Sequence, residues 1–205
     1  MKQLKNLTIL LCFLSLIAFI SCSAKDKTGG DGNDDGVDSV PTFTGNPATD
    51  LPNGYYKGTL SCKSHNIYNF VITTGTSLGM TKEEFEREIT NDTEFYLKIN
   101  NNILRWEQSE DIIEYEYTWK NKEALKSDSE YGATILDIKI GEQISGKTKE
   151  TIRFTISGDT ISITHILGES VATMIGKNID YKYSIVATYE GTLTKYTPTT
   201  TPSGS

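Results

Sequence analysis

The stretch DYKYSIVATYEGTLTK, from Asp180 to Lys195, decides the fold. Tyr181, Tyr183, Ile185, Ala187, Tyr189, Gly191 and Leu193 fall on one parity, with Lys182, Ser184, Thr188, Glu190 and Thr192 on the other. Successive side chains of a strand point to opposite faces, so this period of two describes a half-buried β-strand. Gly191 within it marks a bend or bulge.

The same alternation recurs upstream. Inward sets read Phe95, Leu97 and Ile99; Leu104 and Trp106; Ile113, Tyr115, Tyr117 and Trp119; Leu136, Ile138 and Ile140; Ile152, Phe154 and Ile156; and Ile161, Ile163 and His165. Their partners include Glu94, Lys98, Arg105, Glu107, Glu114 and Glu116, so one face is dry and the other wet. Asn100-Asn101-Asn102 and Ser157-Gly158-Asp159 are turn sequences joining neighbouring runs, which predicts antiparallel hairpins. The expectation is an all-β antiparallel meander of roughly eight to ten strands closing into a barrel, with a β-sandwich as the alternative. One helix interrupts it. Thr81 and Glu84 form a capping box, and Met80 with Phe85 a hydrophobic staple, placing a helix from Lys82 to about Ile89, either as a cover for the barrel mouth or as a connector. Residues 120–131 and 141–150 read as solvated loops, with a short helical turn allowed at Lys122 to Lys126, and His65 as part of a Ser-His-Asn turn.

The N-terminus sets the address. Lys2 and Lys5 precede an apolar run from Leu7 to Ile20, a length that suits an export signal better than a membrane span. The run ends at Phe19-Ile20-Ser21-Cys22, which resembles the lipobox of bacterial lipoproteins, with Phe19 where Leu is usual. That resemblance implies cleavage after residue 21 and acylation of Cys22. Residues 22–51 are Gly-, Asp- and Asn-rich without periodicity and read as a flexible acidic tether spanning roughly 30 Å. Its early Asp residues resemble the signal that sends Bacteroidota lipoproteins to the outer face of the outer membrane. Residues 52–196 form the β domain and 197–205 a disordered tail.

Twenty basic and 27 acidic side chains give a net charge of −7 over 205 residues, which excludes the electrostatic footprint of a nucleic-acid binder. Loss of Lys2 and Lys5 with the signal leaves 18 basic side chains and a formal −9, so attachment to outer-membrane lipid falls to the acyl chains. With Cys12 removed and Cys22 acylated, Cys62 is the sole thiol of the mature chain and no intramolecular disulfide forms. By parity it points inward as a small hydrophobe.

Sequences that suggest catalysis or metal binding are sparse. Asp31, Asn33 and Asp35 open a D-x-N-x-D-G pattern like that of an EF-hand, but Ser39 and Thr42 occupy the ninth and twelfth positions, leaving at most a weak calcium site. His65 and His165 lack the companions of a zinc set and would have to converge to hold a haem. Glu114 and Glu116 lie about 7 Å apart on a wet face, with nothing to raise a carboxyl pKa for glycoside hydrolysis. The sequence lacks H-E-x-x-H. No enzyme and no cofactor is therefore expected. The inward aromatics Tyr56, Trp106, Tyr115, Tyr117, Trp119, Tyr181, Tyr183 and Tyr189, with His165, either line a cavity for a small apolar or aromatic ligand or fill a solid core.

Asn53-Gly54-Tyr55-Tyr56-Lys57-Gly58-Thr59-Leu60 and Tyr189-Glu190-Gly191-Thr192-Leu193 resemble the opening and closing strands of lipocalin-like, or calycin-like, barrels carried by Bacteroidota lipoproteins. The resemblance implies a closed barrel over residues 52–196 with a binding cavity and no catalysis. The expected protein is a monomeric, lipid-anchored surface binder. A β-sandwich module for protein or glycan interaction or adhesion is the alternative.

Overall fold

The computed structural model describes residues 36–73, 81–107, 120–140, 144–176 and 179–198. The elements are β1 (Asn46–Pro47), β2 (Gly54–Thr73), α1 (Lys82–Thr90), β3 (Thr93–Asn100), β4 (Ile103–Glu107), β5 (Lys120–Glu123), β6 (Leu125–Ser127), β7 (Glu130–Ile140), β8 (Ile144–Ser157), β9 (Thr160–Gly176) and β10 (Ile179–Tyr196). All strands join one antiparallel sheet in the order β1-β6-β7-β8-β9-β10-β2-β3-β4-β5. Sequence neighbours pair from β2 to β5 and from β6 to β10, β1 pairs with β6, and β10 returns to β2, so the last strand lies against the first long one.

The hydrogen-bonded order runs from β1 to β5 and does not close into a barrel among the described residues. One segment nevertheless serves both ends of the sheet: β5 pairs with β4, and β6 pairs with β7. Ala124 between them is fully buried, donating its N–H to the Asn102 carbonyl and accepting from the Ala48 N–H.

Turn chemistry fixes the hairpins. Asn101 and Asn102 have φ of 50° and 62°, left-handed values that asparagine tolerates, and Gly158 has φ 59° between β8 and β9. Capping by Thr81 and Glu84 is reciprocal, as the sequence predicts, and α1 extends to Thr90. Its Phe85 packs on Phe70 of β2 and Tyr183 of β10, at ring separations of 5.3 and 5.0 Å. Tyr189 donates its hydroxyl to the Ile89 carbonyl at 2.9 Å, which lays the helix over the inward face.

The inward sets of β3, β4, β8, β9 and β10 form the core, where Phe95, Leu97, Ile99, Leu104, Trp106, Ile152, Ile161 and Leu193 are almost wholly buried. In β7 the parity is reversed. Leu136, expected inward, is 58% exposed, while Ala133 and Ile135 face the core opposite Ile152 and Glu150. Adjacent Ile135 and Leu136 supply an apolar signal on either parity, and what selects the register is Asp137, which turns inward to Lys120. The loops expected at 120–131 and 141–150 are largely strand, because β8 turns Thr148 and Glu150 inward and thereby hides its alternation. His65 likewise lies within β2, opposite Ala187, rather than in a turn. Gly191 sits in regular register, a Cβ there meeting the Thr59 carbonyl oxygen at 2.2 Å; the irregularities of β10 fall at Ser184/Ile185 and Thr188/Tyr189.

Of the tether expected over 22–51, residues 22–35 lie outside the described residues, and residues 36–51 are part of the folded domain. Residues 36–51 pack against the sheet, burying Val37, Val40, Phe43, Ala48 and Leu51. Between Gly36 and Phe43 the chain crosses the outward face as a strap: Thr151 donates to the Pro41 carbonyl at 2.6 Å, and the Phe43 N–H donates to Thr134 at 2.8 Å. Glycines make room for it. A Cβ at Gly168 would lie 2.4 Å from Val40, and one at Gly132 would lie 2.7 Å from the Phe43 ring. Scattered valines and a phenylalanine among Asp, Thr and Pro carry no period, so this packing was hidden in composition.

Candidate functional site

The inward face carries a buried polar cluster centred on Glu150. Its neighbours along β8, Thr148 and Ile152, are buried on the same parity. Trp106 of β4 donates its indole N–H to Glu150 Oε2 at 3.0 Å. Lys120 of β5 places Nζ 3.5 Å from Glu150 Oε1 and 3.1 Å from Asp137 Oδ2 of β7. His165 of β9 lies opposite Ile152, with Nε2 3.5 Å from Glu150 Oε2. That separation is too long for a good hydrogen bond, and His165 Nε2 is buried without a partner. The imidazole sits between the rings of Phe95 and Tyr189, at 5.4 and 6.1 Å.

Electrostatics favours the charged forms. Burial pushes the Glu150 carboxyl up, but His165, the Lys120 ammonium and the Trp106 N–H outweigh it and hold the pKa at about 2. Burial likewise works against the Lys120 charge, and Glu150 with Asp137 reverses the balance, so its pKa is raised. An ionised Glu150 serves as an acceptor and a counter-charge, and it has no proton to give as a general acid. Side-chain exposure climbs from 3% at His165 through 11% at Glu150 and 24% at Lys120 to 39% at Asp137, so the cluster grades from core to solvent.

A second polar pair lies further along β9 and β10. Tyr183 donates to Glu169 at 2.7 Å, and burial, with the nearby carboxylate, pushes its phenol well above the ordinary range. His65 contacts Glu86 of α1 at 2.7 Å. The two histidines thus each have a carboxylate neighbour, and among the described residues no group of three His, Cys, Asp or Glu side chains can hold a metal.

Of the aromatics expected to line a cavity, Tyr56 and Trp106 are 1% exposed and Tyr189 is 7%, all within the packed core. Tyr183 is half-buried beneath α1. Tyr115, Tyr117 and Trp119, with the side chain of Tyr181, lie outside the described residues, as do Glu114, Glu116, Cys22, Asp31, Asn33 and Asp35. The rest of the calcium pattern, 37–42, belongs to the strap, whose buried Val37 and Val40 commit it to the sheet. Cys62 is half-buried against the core, with burial pushing its thiol up, which is the setting of an inert cysteine.

Lys120, Asp137 and Glu150 were missed because charged residues were read as solvent-facing. Glu150 shares parity with Ile152 and Phe154, which is the available signal, whereas Lys120 directly follows the inward-read Trp119, a position that alternation sends outward. No family model, curated protein or solved structure matches this chain. Among the described residues no helix is long and apolar enough to cross a membrane.

Proposed function

We propose that this is a non-enzymatic, lipid-anchored cell-surface protein that binds a small, largely apolar or aromatic ligand inside a barrel-like β domain, next to Glu150. The single observation carrying the reading is the Glu150 cluster. Burying Glu150 and Lys120 costs desolvation that an apolar core would not incur, and such groups are kept where they recognise or specify something. Two carboxylates, Glu150 and Asp137, face one ammonium, so the cluster favours a ligand whose polar end donates hydrogen bonds. Packed aromatics at Tyr56 and Trp106 fill the neighbouring core and leave the solvent-graded side, toward Asp137, as the place of entry.

Barrel-like closure is supported by the sharing of 120–127 between β4 and β7 and by the Lys120–Asp137 and Trp106–Glu150 contacts across the interior. Anchoring through an acylated Cys22, with export to the outer face of the outer membrane, rests on the signal sequence, the lipobox-like Ser21-Cys22 and the acidic residues after it.

Native mass spectrometry of residues 23–205, purified after exposure to bacterial lysate and host secretions, tests the binding reading. A co-purifying small molecule that is absent from the Glu150→Gln protein is the expected result. Identical apo masses for both proteins overturn it.

A further inference from the structure

On the outward face of β8, β9 and β10 lies an open groove of about 470 Å³. Cross-strand register arranges its side chains as a grid: Thr155, Ser162 and Thr192 form one row, and Arg153, Thr164 and Glu190 the next. Strand spacing sets neighbours within a row about 4.8 Å apart, and rows about 6.7 Å apart.

Three observations define what fits. First, none of these six side chains makes a hydrogen bond or ion pair among the described residues, so their donors and acceptors face outward. Elsewhere on this face, Thr134 and Thr151 are occupied by the strap. Second, the strap seats Val40 and Phe43 where Gly168 and Gly132 lack side chains, whereas the grid offers hydroxyls and charges with no comparable apolar seat. An extended peptide would find nothing there to hold its apolar side chains. Third, Arg153 and Lys63 balance Glu130 and Glu190, so the groove selects neither a polyanion nor a polycation.

We propose that this groove binds a neutral oligosaccharide. Each sugar hydroxyl both donates and accepts, which matches threonine and serine hydroxyls that do the same. The Arg153 guanidinium donates to, and the Glu190 carboxylate accepts from, sugar hydroxyls on either side of Thr164, giving geometric selection as well as affinity. The site is independent of the interior cluster, and either can fail without the other.

The test is amide NMR of isotope-labelled residues 23–205 titrated with cellohexaose, maltoheptaose and mannohexaose. The expected result is shifts at Thr155, Ser162, Thr164 and Thr192 with at least one sugar, and about tenfold weaker binding by the Arg153→Ala/Glu190→Ala protein. Thr164→Val is a milder variant with the same expected direction should the double variant misfold. No shifts with any of the three at about 10 mM, shifts confined to inward residues such as Ile152 and Leu167, or binding of heparin or of a peptide of residues 36–43 in place of the sugars would each overturn the assignment.

Discussion

Trp106 and Glu150 are joined by a 3.0 Å hydrogen bond although no ladder pairs their strands, β4 and β8. The bond therefore spans the interior and ties two parts of the sheet that the backbone keeps apart. Trp106→Phe removes the donor and leaves most of the ring volume. A hydrogen bond to a buried charge contributes about 1.5–3 kcal/mol, and denaturant unfolding should show a loss of that order. An unchanged midpoint would mean that the indole N–H contributes nothing to the fold.

Acid should weaken the protein through Glu150. Its native pKa is depressed from 4.5 to about 2, so its contribution is complete above about pH 4.5 and is lost as pH falls toward 2. By linkage that contribution is about 3 kcal/mol. Glu150→Gln lacks the titration, so the stability gap between wild type and variant should narrow over that window. A gap that stays constant from pH 6 to pH 3 contradicts a depressed carboxyl.

Removal of the strap should be costly. Val37, Val40 and Phe43 are buried, and fully burying such a side chain contributes about 1.5–3 kcal/mol. A chain beginning at Leu51 should melt well below one beginning at Gly36, with fresh exposure of the Gly132 and Gly168 surface. Gly168→Ala, whose Cβ meets Val40 at 2.4 Å, should loosen the strap selectively, read as faster proteolysis near residues 36–43. Gly158→Ala has open space around its Cβ and should show only the strain of its φ of 59°, with the strap unaffected.

The cover formed by α1 depends on its first turn and its aromatic contacts. Thr81→Ala loses the reciprocal cap and should destabilise the helix by about 1 kcal/mol. Phe85→Ala loses the rings of Phe70 and Tyr183 and should raise hydrogen exchange across 82–90 above the rate in β3. Equal exchange in both variants and wild type would show the helix held by Tyr189 and His65 alone.

The period of two in β10, β9, β4 and β3 was legible because most inward residues there are apolar and most outward ones polar. It failed in β7, where Ile135 and Leu136 make both parities plausible and the deciding partner, Lys120, is distant in sequence. The interior cluster was illegible for a related reason. Glu150 and Lys120 look solvated until the fold places each beside the other, and no local pattern encodes that meeting. The caps and turns, whose chemistry is local, were read directly from Thr81, Glu84, Asn101, Asn102 and Gly158.

The strap also changes how the domain bears load. Thirteen residues, 23–35, separate Cys22 from Gly36. Tension entering at Gly36 meets Val37, Val40, the Pro41–Thr151 contact and Phe43 one after another, because the strap crosses the strands instead of pairing along them. Such an attachment peels stepwise and lengthens as it yields. The sheet beneath is loaded only after the strap has come away, so under the proposed anchoring at Cys22 the strap acts as the domain's mechanical fuse.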